Sequence, residues 1–323
     1  MKIMRAPKYR IIIDGKAAAP EVLGDGSRRY RFGRGKQAGS IEVFSVLPGV
    51  ELLYDHFSMK KERNTVEVEG NLLEINYCHE GRQECRWICG DYLYLGAGDL
   101  CITRMENDEP PLAFPTEHYR GITVILDLDI LAEEPLPILG GHVAGLADKF
   151  CPGHHFFAMR ANEHIRHIFG ELYDVPKEVR EEYFQIKILE LLMFLHLVNP
   201  DAERRVDRIT RGQIEVIKAV KDRICEDLTR EVTIEELSRE FCISPTSLKN
   251  NFKIVYNTSV KKYLRKVRME RGAQLLRTGN TPVAEIAAQV GYANQSKFAS
   301  AFKEQFGISP AEYRKKCAHE GVE

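Results

Sequence analysis

The sequence predicts an α+β chain in which the two kinds of structure are segregated. The N-terminal half is a β-barrel or sandwich with a helical appendage, and the C-terminal domain is all helical, with two helix-turn-helix units joined by a long helix. Three observations carry this prediction. Short β-branched and aromatic runs alternate with turn residues from about 41 to 126, the pattern of antiparallel strands. After Pro152 apolar residues recur at three- and four-residue intervals, as amphipathic helices require. Residues 233–317 hold an internal repeat, each copy of which reads as helix, tight turn, helix.

At 323 residues, with 44% apolar and 29% charged residues, the composition is that of a soluble globular chain of about two domains. Disordered and fibrous classes are excluded. The net charge of −1 hides an asymmetry: residues 209–323 carry 20 Lys+Arg against 14 Asp+Glu, net +6, and residues 1–208 carry 26 against 33, net −7. A basic domain beside an acidic one points to a nucleic-acid contact in the basic half. No apolar run approaches the roughly 20 residues of a membrane span, and Ile11-Ile12-Ile13 is too short for a secretion signal core. The expectation is a cytoplasmic protein without a membrane partner. Eight scattered cysteines then fit reduced thiols better than a disulfide framework.

Strands are expected over 41–47, 50–57, 72–79, 92–95, 100–103 and 121–126, separated by turns such as Pro48-Gly49, Gly90-Asp91 and Gly96-Ala97-Gly98-Asp99. Helices are expected over 159–173 and 181–198. In the second, Phe184, Ile188, Leu191, Leu192 and Leu195 share one face, which suits either the core or a homodimer seam that charges at Ile188 and Leu192 would separate. Asn199-Pro200 and the polar run to Arg208 mark a linker. The domains expected are therefore 1–198, with 199–208 as linker, and the basic 209–323.

The repeat is the most informative feature. Leu248-x3-Phe252-Lys253-x2-Tyr256-Asn257-x-Ser259 recurs 50 positions later as Phe298-x3-Phe302-Lys303-x2-Phe306-Gly307-x-Ser309, and Glu236-Leu237 and Cys242 match Glu285-Ile286 and Gly291 at an offset of 49. Thr233-x-x-Glu236 and Ser309-x-x-Glu312 are capping boxes. Ser244-Pro245, Thr281-Pro282 and Ser309-Pro310 each set an N-cap before a proline at the first helical position. Asn257, Gly291 and Gly307 suit left-handed helix ends. The connector is expected over 259–278, ending at Gly279, with Lys261, Lys262, Arg265, Lys266, Arg268 and Arg271 around a stripe of Val260, Leu264, Val267, Leu275 and Leu276.

These residues resemble the C-terminal domain of the AraC/XylS family of bacterial transcription regulators. The resemblance is carried by Glu285-Ile286-Ala287-x2-Val290-Gly291-Tyr292 and by Phe298-x3-Phe302-Lys303-x2-Phe306-Gly307-x-Ser309-Pro310-x2-Tyr313-Arg314, within about a third of the chain. It implies two helix-turn-helix units entering successive major-groove faces of double-stranded promoter DNA, contact with RNA polymerase and, for most members, activation. Two positions depart from the pattern: Cys242 stands where the first turn often has glycine, and Val260 where the second copy has proline.

With Leu248 and Phe252 facing inward, Thr246, Lys249, Asn250 and Lys253 face outward. Lysine can read guanine, asparagine can pair with adenine, and threonine can meet a thymine methyl. Residue-by-residue matching to the family places its base-contacting positions on Thr246, Lys249 and Asn250. In the second copy the outward set is Asn294, Gln295, Ser296, Ala299 and Ser300, small and uncharged, so the first copy is expected to dominate base discrimination and the second to add backbone and shape readout. Lys253, Lys297, Lys303, Arg265 and Arg268 are the candidate phosphate contacts.

The segments 72–82 and 96–100 resemble the cupin-type sensing domain of the family, particularly its pyochelin-sensing branch, which implies a small-molecule effector. No cofactor is expected. A metalloenzyme would use the same barrel, but beside His79 and Glu84 the second turn offers Asp99-Leu100 where such an enzyme has a histidine. Cys78, Cys85 and Cys89, and the stretch Cys151, His154, His155, His164 and His167, fit structural positions at least as well as a thiol sensor or metal site. Gly33-Arg34-Gly35 lacks the rest of a nucleotide fingerprint, and Asn257-Thr258-Ser259 is a helix boundary, not a glycosylation site. The alternative to a ligand-responsive regulator is a DNA-binding adaptor whose N-terminal domain only dimerises.

Overall fold

Alternation with period two builds the N-terminal half. The chain runs through β1 (Tyr9–Ile13), β2 (Lys16–Ala17), β3 (Glu21–Val22), β4 (Arg28–Arg34), β5 (Gln37–Leu47), β6 (Val50–Ser58), β7 (Asn64–Val68), β8 (Leu72–Arg86), β9 (Tyr92–Gly96), β10 (Asp99–Arg104) and β11 (Tyr119–Asp127). After them come α1 (Leu128–Glu133), α2 (Leu146–Phe150), β12 (Phe157–Arg160), α3 (Glu163–Leu172), α4 (Arg180–Leu197) and α5 (Pro200–Glu203). The computed structural model describes residues 7–320 apart from 14, 36, 61–63, 87–91, 108–111, 140–142, 144, 155 and 204–208. It divides into two units, Met1–Arg208 and Ile209–Glu323.

The strands form a large sheet in the order β12-β10-β8-β11-β6-β5-β4-β3, with β9 attached to β8, and a small sheet β2-β1-β7. Among the described residues every pairing is antiparallel. Successive strand residues serve opposite cores. Leu73, Ile75, Ile122, Val124 and Leu126 point to the helical side, where Ile165 and Phe169 of α3 and Ile188, Leu191 and Leu192 of α4 complete one cluster. Phe57, Leu72, Cys78, Tyr119 and Ile125 point the other way and form a second cluster with Tyr9 and Ile11 of β1.

Each of the six expected strands lies within one of β5, β6, β8, β9, β10 and β11. The helix expected over 159–173 is corrected: Met159 belongs to β12, which sends Phe157 and Met159 into the helix-side core and Ala158 into the other, a period of two. The helix α3 starts only after Asn162, whose side chain accepts from the Ile165 N–H. The linker is also corrected in part, because Pro200–Glu203 is a helical turn; residues 204–208, like Gly90-Asp91, lie outside the described residues. Among the described residues no helix is long and apolar enough to cross a membrane.

The C-terminal unit comprises α6 (Arg211–Glu226), α7 (Ile234–Glu240), α8 (Pro245–Tyr256), α9 (Val260–Thr278), α10 (Val283–Gln289), α11 (Gln295–Phe306) and α12 (Pro310–Glu320). Its boundaries follow the capping chemistry. Thr233 and Glu236 form a reciprocal capping box, Ser309 and Glu312 do the same, and Ser244 accepts from the Ser247 N–H. The expected cap at Thr281 is absent: Pro282 itself is the N-cap, in extended backbone and without a side-chain bond, and the Thr281 carbonyl accepts from Arg314. The long helix α9 spans the expected range and stops at Gly279. Gly272 sits inside it, where glycine is costly by about 1 kcal/mol, because a Cβ there would press within 2.9 Å of the Phe298 ring.

Candidate nucleic-acid interface

The two copies of the repeat fold into two matching helix pairs, α7 with α8 and α10 with α11. In each pair a helix of 7 residues is followed by one of 12. The turns are equivalent. Cys242 adopts φ +51° where Gly291 adopts φ +80°, so cysteine holds the left-handed position that glycine occupies at no steric cost. In both turns the following amide reaches back five residues, Ile243 to the Ser238 carbonyl at 3.1 Å and Tyr292 to the Ala287 carbonyl at 2.8 Å. Both 12-residue helices end in left-handed caps, Asn257 at φ +55° and Gly307 at φ +77°.

The apolar anchors Leu248 and Phe252 of α8, and Phe298 and Phe302 of α11, are fully buried. That rotation leaves Thr246, Lys249, Asn250 and Lys253 exposed on α8, and Gln295, Ser296, Lys297, Ser300 and Lys303 exposed on α11. Ala299 is half-buried. Asn294 is exposed, but it precedes α11 as its N-cap: its side-chain oxygen accepts from the amides of Ser296, at 2.7 Å, and Lys297. Only its amide NH2 is left to meet a base.

Arg268 requires a correction. Expected at a phosphate, it is 9% exposed. Its Nε donates to the Leu228 carbonyl at 2.9 Å and a terminal nitrogen donates to the Arg230 carbonyl at 3.2 Å, with the guanidinium 5.9 Å from the Tyr292 ring centre. A basic residue on a half-buried helix turns inward when unpaired carbonyls lie within reach. Arg268 thereby ties the segment before α7 to α9 and to the turn of the second helix pair. Gly291 belongs to the same junction, since a Cβ there would overlap the Leu228 carbonyl oxygen. Arg265 stays about half exposed and is ion-paired to Glu304 of α11, so a phosphate would have to compete with that carboxylate.

Between the helix pairs runs a cleft of about 920 Å³, lined among others by Lys261, Arg265, Arg268, Asn294, Lys297 and Glu231. Lys261 is a member that the sequence did not single out as a contact. Its basic spacing on α9 was visible, but its place in the same cleft as Lys297, 36 residues away, was not.

The other candidates do not converge. Among the described residues no group of three or more His, Cys, Asp or Glu could hold a metal. The Glu84 carboxylate accepts from Tyr94, and the His79 ring packs at a tilt against Tyr173. Cys78 is buried and its thiol is pushed far above its ordinary pKa by desolvation; burial pushes the Cys151 thiol up to about 11. His164 stacks on Phe194 and His167 lies 3.4 Å from Glu171. Cys89 and His155 lie outside the described residues. The homodimer seam suggested for α4 is corrected as well, because Ile188 and Leu192 are 0% and 2% exposed and pack into their own chain's core.

Repeated helix pairs on a basic unit, with polar faces exposed on the second helix of each, have the form of a helix-turn-helix domain. Residues 237–316 match the protein family described as a helix-turn-helix domain. A putative AraC-like transcription regulator of Streptomyces antibioticus is 30% identical over 131 residues, 39% of this chain and 43% of that protein. The raffinose operon transcriptional regulatory protein RafR of Pediococcus pentosaceus is 29% identical over 231 residues, 70% of this chain and 76% of its own length. Among solved structures, the C-terminal domain of AraT, a response regulator from Geobacillus stearothermophilus, is 32% identical and covers 31% of this chain and 84% of that one, with a TM-score of 0.30. The match spans less than half of the Streptomyces relative. By its C-terminal domain this chain is similar to transcription regulators of the AraC type. These relatives are regulators, not enzymes.

Proposed function

We propose that the chain is a sequence-specific, ligand-responsive activator of transcription, with a cupin-like sensing unit at residues 1–198, a linker at 199–208 and two helix-turn-helix units within 209–323. The observation that carries this reading is the pair of equivalent 12-residue helices, each with a buried aromatic or leucine anchor and an exposed polar N-terminal half. In this proposal α8 and α11 enter successive major-groove faces of promoter DNA. Thr246, Lys249 and Asn250 discriminate bases, while Gln295, Ser296, Ala299 and Ser300, together with the free amide of Asn294, add a weaker readout. The backbone between the two grooves lies along the cleft of Lys261, Arg265 and Lys297, with Lys253 and Lys303 at its flanks. The protein acts in the cytoplasm and hands its signal to RNA polymerase.

The same reading makes the active species a homodimer. Its seam is the outer side of α4, where Ile186, Met193 and Leu197 remain 60%, 55% and 76% exposed at spacings of seven and four residues.

The test is to incubate full-length protein with sheared genomic DNA of its host at physiological salt and sequence what is retained. A two-part motif upstream of a gene cluster is the expected result. Retention of DNA without any motif overturns the claim of specificity. Lys249→Ala should relax the motif in one half and Gln295→Ala should change it less; the reverse order would assign the dominant readout to α11.

A further inference from the structure

We propose that the N-terminal unit holds a binding site for a small organic cation, an alkylammonium, in the cavity between the small sheet and the large one, with Asp55 as its counter-ion. This rests on the reading of that unit as a sensor and names the chemistry of what it senses. The cavity measures about 120 Å³ and is lined by Tyr9, Asp55, Phe57, Asn76, Gln83 and Tyr119 among others.

Its polar groups form a directed chain. The Tyr119 hydroxyl donates to the Asn76 carbonyl oxygen at 2.9 Å, the Asn76 amide donates to the Thr123 hydroxyl at 2.9 Å, and that hydroxyl donates to Asp55 Oδ2 at 2.7 Å. All four residues are buried. The two hydroxyl donors and one Asn76 amide N–H all run toward Asp55, so the chain ends on an acceptor. Gln83, 4% exposed on the neighbouring wall, has a side-chain oxygen with no hydrogen-bond partner among the described residues. Buried acceptors without donors are rare and costly, and they are what a ligand rich in N–H groups would satisfy.

Charge selects the same ligand class. Asp55 lines the cavity, and among the described lining residues there is no lysine, arginine or histidine. A buried carboxylate without a cation is expensive. An ammonium group supplies the missing charge, and the rings of Tyr9, Phe57 and Tyr119 around it offer faces that attract a cation. An anion would meet the Asp55 carboxylate, and a neutral polyol would leave that charge uncompensated. Burial raises the Asp55 carboxyl to about 6, so it is ionised and able to hold a cation at neutral pH.

The experiment compares three probes of one size on the full chain at pH 7.5: ethanolammonium, ethylene glycol and glycolate. Thermal unfolding is followed through the fluorescence of Trp87, the chain's single tryptophan. Ethanolammonium should raise the midpoint by about 2 °C or more at saturation, and glycol and glycolate should leave it unmoved. Its apparent affinity should fall about tenfold at pH 5, where about a tenth of the Asp55 carboxyls remain ionised. Asp55→Asn should abolish the response, and Gln83→Leu, which leaves the carboxylate in place, should weaken it. An equal shift with glycolate or glycol, no shift with ethanolammonium, or a response retained in Asp55→Asn overturns the proposal. Retention of promoter DNA with and without ethanolammonium separates the two levels. Binding without any change in retention leaves a cation site but refutes a sensor, whereas a ligand-dependent change driven only by a neutral or anionic probe keeps the sensor and refutes the cation.

Discussion

Replacing Asp55 by asparagine should stabilise the N-terminal unit at neutral pH. The side chain is buried, its donor among the described residues is the Thr123 hydroxyl, and among the described residues no basic group offsets its desolvation, so its carboxyl rises from 3.8 to about 6. The titratable groups around it are the phenols of Tyr9, Tyr119 and Tyr173 and the Glu74 carboxylate, none of them a cation. A raised carboxyl pKa means that the folded state binds the proton more tightly than the unfolded one. The contribution of Asp55 to stability is therefore complete below pH 3.8 and is lost as pH climbs through 6. A shift of about two units corresponds to about 3 kcal/mol. Asparagine keeps the shape and still accepts from Thr123, but carries no charge at any pH. Urea unfolding followed by Trp87 fluorescence should show Asp55→Asn about 3 kcal/mol more stable than the parent at pH 7.5, with the gap shrinking below about 1 kcal/mol near pH 4.5. A variant less stable at pH 7.5, or a gap independent of pH, would refute the reasoning.

Arg268→Met should destabilise the C-terminal unit by about 3 kcal/mol, because it strips a charged donor from two carbonyls; a loss under about 1 kcal/mol in thermal unfolding would return Arg268 to the DNA surface. Gly291→Ala, which must hold φ +80° and collides with the Leu228 carbonyl oxygen, should cost about 2 kcal/mol or more, measured in the same assay. Lys297→Ala and Lys253→Ala should each lower the slope of log affinity against log salt by about 1 without changing the preferred motif, whereas an altered motif would make either lysine a base reader. Ile188→Lys should unfold the N-terminal unit. Met193→Lys should leave its far-UV circular dichroism intact and shift the mass in light scattering from dimer to monomer; an unchanged dimer would count against the outer face of α4 as the seam.

The C-terminal helices were legible in the sequence because their boundaries are set by local chemistry. A capping box, a left-handed residue after the last turn and a proline at the first helical position act within four or five residues, so Thr233, Ser244, Asn257, Gly307 and Ser309 mark helix ends without knowledge of any distant contact. The repeat added a second, independent copy of the same information. Cys242 shows the limit of that logic: its residue type argues against a left-handed turn, and the turn forms because the helices on either side demand it.

Where local pattern and long-range packing disagreed, packing decided. Met159 fits helical spacing, yet it lies in a strand because β10 offers an open edge to pair with. Ile188 and Leu192 make the same apolar stripe whether they face a second subunit or their own sheet, and only the presence of Ile75, Val124 and Phe169 beneath them settles the matter. Arg268 counts as a basic residue in any charge tally, but carbonyls 38 and 40 positions away draw it inward. The polar chain from Tyr119 to Asp55 joins three strands separated by 43 to 68 positions, so no window on the sequence contains it. The sequence by itself determined where most of the C-terminal helices begin and end and which kind of domain they make, since caps, turns and periodicity are short-range. The tertiary structure decided which charges face solvent, which apolar face is already covered and where a carboxylate is buried, since burial is a property of the whole chain.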